Sequence, residues 1–456
     1  MVYVGFLVGG LEVCRLALRV KRGDGSRLDP RDRALLALSV VAVIYCFVSA
    51  INARATLDTS SLAFSYEENY IGWLPHSYDS HQSWFFSWQY LSLFCFFWGV
   101  RGWVLGYQDR SSRHWQPGAL GLDASTKRRN LVILFVGLNA VLLAVAGIAQ
   151  RLDGTRLLLW LVETRHGTRA DATFGPFAYR GNAAVYLNLV WPLLVGLFFA
   201  MRSQCRRLGR EGRFGSEPYI GLVPMVAVIF SAGIFVGSRA GLIALIFGAL
   251  VLLLAKLQQL GRFRDRLIVV VLIVCFVVGA VAVVGDKVVE RWRVTMVESV
   301  EFKREGRQDI YQHFGPLVRD FQPFGSGPGT FASVYQLYRM NRISGNRSDR
   351  LVLWSAWAHC DPMEILITLG WVATLILVAC VGLILTAPWG RMGPIGREGV
   401  LGIYAALGTM TLHSFVDFPF QIFSLLHLFV VLCALLMTVR PDQLESEGSS
   451  EGTLQP

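Results

Sequence analysis

Apolar residues recur along this chain in stretches long enough to cross a membrane. They fall at about 3–20, 34–52, 84–105, 130–150, 183–201, 219–237, 240–257, 267–285, 363–387, 399–416 and 420–438. A helix needs roughly 17–25 apolar residues to span the hydrocarbon core. There the backbone must satisfy its own hydrogen bonds, which a helix does within one segment. Two-residue alternation, the mark of a membrane β-barrel, is absent. Composition agrees: 54% of the 456 residues are hydrophobic and 16% are charged, against about 25% charged in soluble domains. Mean hydropathy is +0.46. The chain reads as an all-α polytopic membrane protein with about 11 (roughly 10–12) transmembrane helices.

Loop charge sets the expected orientation. Segments 19–33, 110–129, 202–213 and 256–266 are dense in Lys and Arg, and Arg391 and Arg397 share one further loop. They alternate with connections at 53–83, 151–182, 238–239, 286–362 and 417–419, so the basic set belongs in the cytoplasm. The net charge of +11 follows from these loops, and no basic nucleic-acid-binding module accompanies it. The organisation expected is N-terminal helices over 1–285, a long extracytoplasmic loop over 286–362, C-terminal helices over 363–438 and a polar cytoplasmic tail over 439–456. This topology leaves the N-terminus outside, from which either a missing upstream helix or a misread start site is expected. The eight Cys are scattered, mostly inside apolar runs, without a CxxC pair, and read as small buried residues.

Titratable groups gather at the expected outer ends of the spans. In "WAHCDPMEILITLGW" (357–371), Asp361 followed by Pro362 and Glu364 has the grammar of a helix start, with Asp361 as cap. His359 stands two residues ahead, where a neutral imidazole could accept a proton as a general base or bond a loop carbonyl. Arg239, in "FVGSRAGLIAL", heads a helix on the outer side, against both the helix dipole and the positive-inside tendency. It is placed either to bind an anion or to reach headgroup phosphates. Arg180 stands at the outer end of another span, and Arg307 lies in the long loop. The turn Gly325–Gly329, centred on Gly327, lacks the GK[ST] ending of a nucleotide-binding loop and reads as a tight turn. His413 and Asp417, four apart, could pair on one helix face. Arginines from several segments with one His, and no convincing metal-ligand set, suit a diphosphate-linked lipid substrate, because guanidinium forks grip phosphate oxygens and stabilise a departing pyrophosphate.

The pieces "GSRAGLIAL", "GRQDIYQ", "PFGSGPGTF", "AHCDPMEILITLG" and "HSFVDFPFQI", in this order over about 235–425, resemble the O-antigen ligase and polymerase superfamily. The resemblance implies a GT-C-like glycosyltransferase fold in the bacterial inner membrane, with the site facing the periplasm. It implies a metal-independent, cofactor-free inverting transferase that moves a glycan from undecaprenyl pyrophosphate to an acceptor glycolipid or growing glycan. His359, with Gly370 eleven residues on, matches the motif of the base. Arg239, and by similarity Arg180 and Arg307, match the residues expected to hold pyrophosphate. Asp361, Gly327, His413 and Asp417 are supporting candidates. Membrane lipids and a chain-length regulator are the further partners implied. Departures from the family pattern are Cys360, where Asn is common, Pro362, where an aromatic is usual, and a loose match at 179–186.

Ligation onto lipid A–core, repeat-unit polymerisation and protein O-glycosylation share these motifs; the short tail disfavours the last. The rival from another class is a non-enzymatic polysaccharide exporter subunit. An exporter would place ionisable groups near the bilayer midplane. The spans between 130 and 285 carry no charge near their middles.

Overall fold

The computed structural model describes residues 6–7, 9–14, 29–58, 63–106, 124–163, 172–207, 217–259, 310–340, 357–387 and 394–439. The expected span at 267–285, Arg307, loop stretches 286–309 and 341–356, the tail beyond 439 and part of the first expected span lie outside the described residues. Eleven helices are named here: α1 (Pro30–Ile51), α2 (Ser80–Leu105), α3 (Ala124–Asp153), α4 (Arg180–Arg207), α5 (Leu222–Phe235), α6 (Arg239–Gln259), α7 (Phe314–Phe321), α8 (Phe331–Met340), α9 (Asp361–Thr386), α10 (Pro394–Ser414) and α11 (Phe423–Leu436). Among the described residues α1, α3, α4, α6 and α9 are long and apolar enough to cross a membrane. Helices α5 and α11 are apolar but have only 14 residues each. Expected spans 84–105 and 399–416 are helices α2 and α10, and α2 buries the polar residues Ser83, Ser87, Gln89, Ser92 and Arg101. The chain is a multi-pass helical membrane protein.

One element corrects the all-α expectation. Strands β1 (Ala55–Asp58) and β2 (Ala63–Tyr66) pair antiparallel, Ala55 opposite Tyr66. The alternation is local: Ala55 and Leu57 are buried while Asp58 is exposed. Four such residues are too few to register beside runs of span length.

The described residues form two compact units. The first holds those up to Gly106, 310–387 and 414–439; the second holds 124–259 and 394–413. In the first unit, α1 packs against α2 and α9, and α11 against α2. A buried ion pair, Asp32–Arg101, joins α1 to α2. Arg31 Nη1 donates to the carbonyl of Thr386 at 2.9 Å, a cation on the negative end of α9. In the second unit, α4 packs against α3, α5 and α6. Helices α4 and α10 cross at glycines, since a Cβ on Gly402 would lie 2.6 Å from the Pro192 carbonyl oxygen. Such small-residue contacts let membrane helices approach closely. Asn188 Nδ2 donates to the Gly241 carbonyl at 2.8 Å, tying α4 to α6.

Helix α9 is broken. Gly370 has φ 70° and ψ 173°, which only glycine adopts freely. A break inside a span exposes carbonyls that hydrocarbon cannot serve, each costing several kcal/mol. Here the segment 322–327 and one tyrosine serve them. Gln322 Nε2 donates to the Leu366 carbonyl (2.9 Å) while its Oε1 accepts from Trp371 N (2.7 Å). The amides of Ser326 and Gly327 donate to the carbonyls of Ile367 and Thr368 at 2.9 and 2.8 Å. The Tyr45 hydroxyl bridges the carbonyls of Leu369 (3.0 Å) and Phe324 (2.7 Å). The glycine-rich turn is thus the complement of the break. Gly325 and Gly370 stand face to face: a Cβ on Gly325 would lie 2.3 Å from the Thr368 oxygen.

Candidate active site

The residues just ahead of α9 are held from both sides. Ala358 is fully buried with Phe321, Phe331, Tyr335 and Ile367, and its amide donates to the Glu364 carboxylate at 2.7 Å. The spacing "DPME" makes Asp361 the helix cap; in the structure the cap is Cys360, extended at φ −160° and ψ 91°. The shift has a cause: the Asp361 carboxylate faces away from its own helix and accepts from the Phe420 amide at 2.8 Å. Asp361 is fully buried and fastens the segment that follows Asp417. Burial pushes the Cys360 thiol above its ordinary range, which keeps it protonated and a poor nucleophile at neutral pH.

His359 itself has φ 54°, a left-handed backbone uncommon outside glycine. Such strain persists only where the surroundings over-determine it. The Tyr311 hydroxyl donates to the His359 carbonyl at 3.0 Å. The imidazole packs edge-on against Phe418, centroids 4.8 Å apart, and Phe418 stacks on Trp357. Nδ1 lies 3.1 Å from Asp417 Oδ1. The His359 side chain is 26% exposed and that of Asp417 only 4%. A neutral imidazole that meets a carboxylate through Nδ1 keeps its proton there, which leaves the Nε2 lone pair as acceptor. When Nε2 takes a proton, the carboxylate stabilises the imidazolium formed.

This pairing replaces the one expected on α10. That helix ends at Ser414, short of Asp417, so the two residues do not share a helical face. His413 is buried in its last turn. Gly327 (φ 110°) lies in the turn that fills the α9 break, and a Cβ there would meet Ser77 Oγ at 2.5 Å. The first unit therefore brings together His359, Asp417 and Asp361. Tyr311, Trp357 and Phe418 are neighbours that the sequence did not single out; the signal available was the place of Tyr311 inside "GRQDIYQ" and of Phe418 inside "HSFVDFPF", and that of Trp357 directly before "AHCDPME".

Arg180 and Arg239 belong to the second unit and begin α4 and α6. Both therefore stand where the helix dipole favours an anion. Arg239 is exposed. It follows a turn through Gly237 (φ 69°), and the Ser238 hydroxyl oxygen accepts from the Gly241 amide at 3.2 Å. Among the described residues no three His, Cys, Asp or Glu side chains form a metal-binding group.

No curated protein matches the chain. Residues 224–378 match the protein-family model described as O-antigen ligase. That stretch contains Arg239, the glycine-rich turn, His359 and the break in α9, and over it the chain is similar to the O-antigen ligase family, whose members are glycosyltransferase-like enzymes.

Proposed function

We propose that the protein transfers a glycan from undecaprenyl pyrophosphate to an acceptor hydroxyl, of lipid A–core or of a growing polysaccharide, at the periplasmic face of the bacterial inner membrane. The observation that carries this reading is the His359–Asp417 pair, its imidazole partly exposed and its carboxylate buried, on a strained backbone at the head of α9. His359 Nε2 takes the proton of the acceptor hydroxyl as its oxygen attacks the anomeric carbon. The bond from that carbon to the pyrophosphate oxygen breaks, and lipid pyrophosphate leaves with the electron pair. Attack opposite the leaving group inverts the anomeric centre. Arg180, Arg239 and Arg307 hold the pyrophosphate and stabilise the charge it gains.

Asp417 then acts by orienting the base. Asp417→Asn is expected to lower kcat about 10²- to 10⁴-fold by favouring the wrong tautomer, with donor KM nearly unchanged. Steady-state kinetics on the folded variant check this split.

The function itself is tested on purified protein supplied with undecaprenyl-pyrophosphate glycan, followed by mass spectrometry of the products. Glycan on added lipid A–core identifies a ligase, a lengthened lipid-linked glycan a polymerase, and glycan on an added acceptor protein an O-oligosaccharyltransferase. Absence of transfer to all three, with glycan carried across sealed vesicles instead, would make the chain an exporter subunit and sink the proposal.

A further inference from the structure

We infer that Arg151, which no motif marks, is a positioning residue of the donor site: it joins the starts of the two helices that carry Arg180 and Arg239. The inference rests on the donor reading above. Arg151 lies in the last turn of α3, where a cation ordinarily complements the helix dipole. Its guanidinium instead reaches two other segments. Nη2 donates to the carbonyl of Val236 at 3.1 Å and to that of Thr173 at 3.4 Å.

Each carbonyl is tied closely to one arginine. Val236 ends α5 and stands three residues before Arg239, across the turn Gly237-Ser238. The amide of Arg180 donates to the Ala172 carbonyl at 2.8 Å, so the head of α4 folds back onto the residue next to Thr173. That fold-back is closed by paired backbone bonds between Phe174 and Phe177 through Gly175 at φ 57°. Phe174 in turn packs where Gly147 of α3 leaves room: a Cβ there would lie 2.1 Å from its ring. One guanidinium nitrogen thus ties two helix starts together, and with them the two side chains that grip one diphosphate. Lysine, whose ammonium sits on a flexible stem and is not held in a plane, fixes the two carbonyls less firmly.

The test uses full-length protein in phosphatidylglycerol-free nanodiscs with undecaprenyl pyrophosphate as the probe. Binding is measured for wild type, Arg151→Ala, Arg151→Lys, Arg239→Ala and the Arg151/Arg239 double variant, each with its Tm. The expected result is an affinity about 10- to 100-fold weaker for Arg151→Ala, incompletely restored by Arg151→Lys. The double variant should lose less than the sum of the two single losses, since part of the effect of Arg151 passes through Arg239 and the rest through Arg180. In the transfer assay, donor KM should rise further than kcat falls. Inorganic pyrophosphate should compete, and undecaprenyl phosphate should bind with less difference between variants. If Arg151→Ala and Arg151→Lys lower Tm but bind as wild type does, Arg151 is only structural and the inference falls, while the donor reading stands. Absence of binding by folded wild type removes both.

Discussion

His359→Ala should lower glycan transfer about 10²- to 10⁴-fold, the usual contribution of a positioned general base. The loss should appear in kcat, because no step of donor binding passes through the imidazole. Alanine tolerates the left-handed backbone of residue 359 poorly, so His359→Asn is the better variant. Asparagine accepts positive φ and can still donate to Asp417, yet it cannot take a proton. Both variants should bind undecaprenyl pyrophosphate with wild-type affinity. Turnover of either at the wild-type rate would remove His359 from the chemistry, and the mechanism would have to be rebuilt on the arginines.

Gly370→Ala should unfold the first unit. Two penalties coincide at this position. A residue with a Cβ pays for φ 70°, about 1–2 kcal/mol, and the Cβ would lie 2.2 Å from the Pro323 carbonyl oxygen and 2.5 Å from the Gly325 amide nitrogen. Neither contact can relax by turning a side chain, because both are backbone. Displacing the turn would leave the carbonyls of Leu366, Ile367 and Thr368 without donors in apolar surroundings, at several kcal/mol each. Against a typical stability of about 5–15 kcal/mol, the variant should be recovered aggregated or with a strongly lowered Tm. A Gly370→Ala protein that melts with wild type would show that α9 can run straight through this position. Its neighbour in sequence, Trp371, is half exposed, and Trp371→Phe should be tolerated.

The class of the protein was legible because a membrane imposes it: span-length apolar runs admit few alternatives. His359 was legible as a candidate, because a titratable group stands at the head of an apolar run. Its partner was not. Asp417 lies 58 residues downstream, and local spacing pointed to His413, which shares its segment but not its helix face. The break in α9 was hidden for a different reason. Gly370 inside an apolar run looks like any glycine in a membrane helix, and the complement that makes a break affordable sits at 322–327. Arg151 was hidden because a basic residue at a helix C-terminus already has an ordinary explanation. The hairpin escaped because each strand has only four residues and only the first alternates. Short-range patterns report what a segment prefers; these features were decided by what another segment supplied.

The broken helix also has a bearing on the order in which the protein is made. Every group that serves the carbonyls exposed at the break, from Tyr45 through Gln322 to Ser326 and Gly327, precedes residue 366 in the chain. Domains form N-terminal parts first during synthesis, so α9 emerges from the ribosome into a surrounding that already contains its missing donors. A circular permutation that moved 322–327 behind α9 would leave the same contacts in the finished molecule, but would deliver a bent span to the bilayer before anything could complete it.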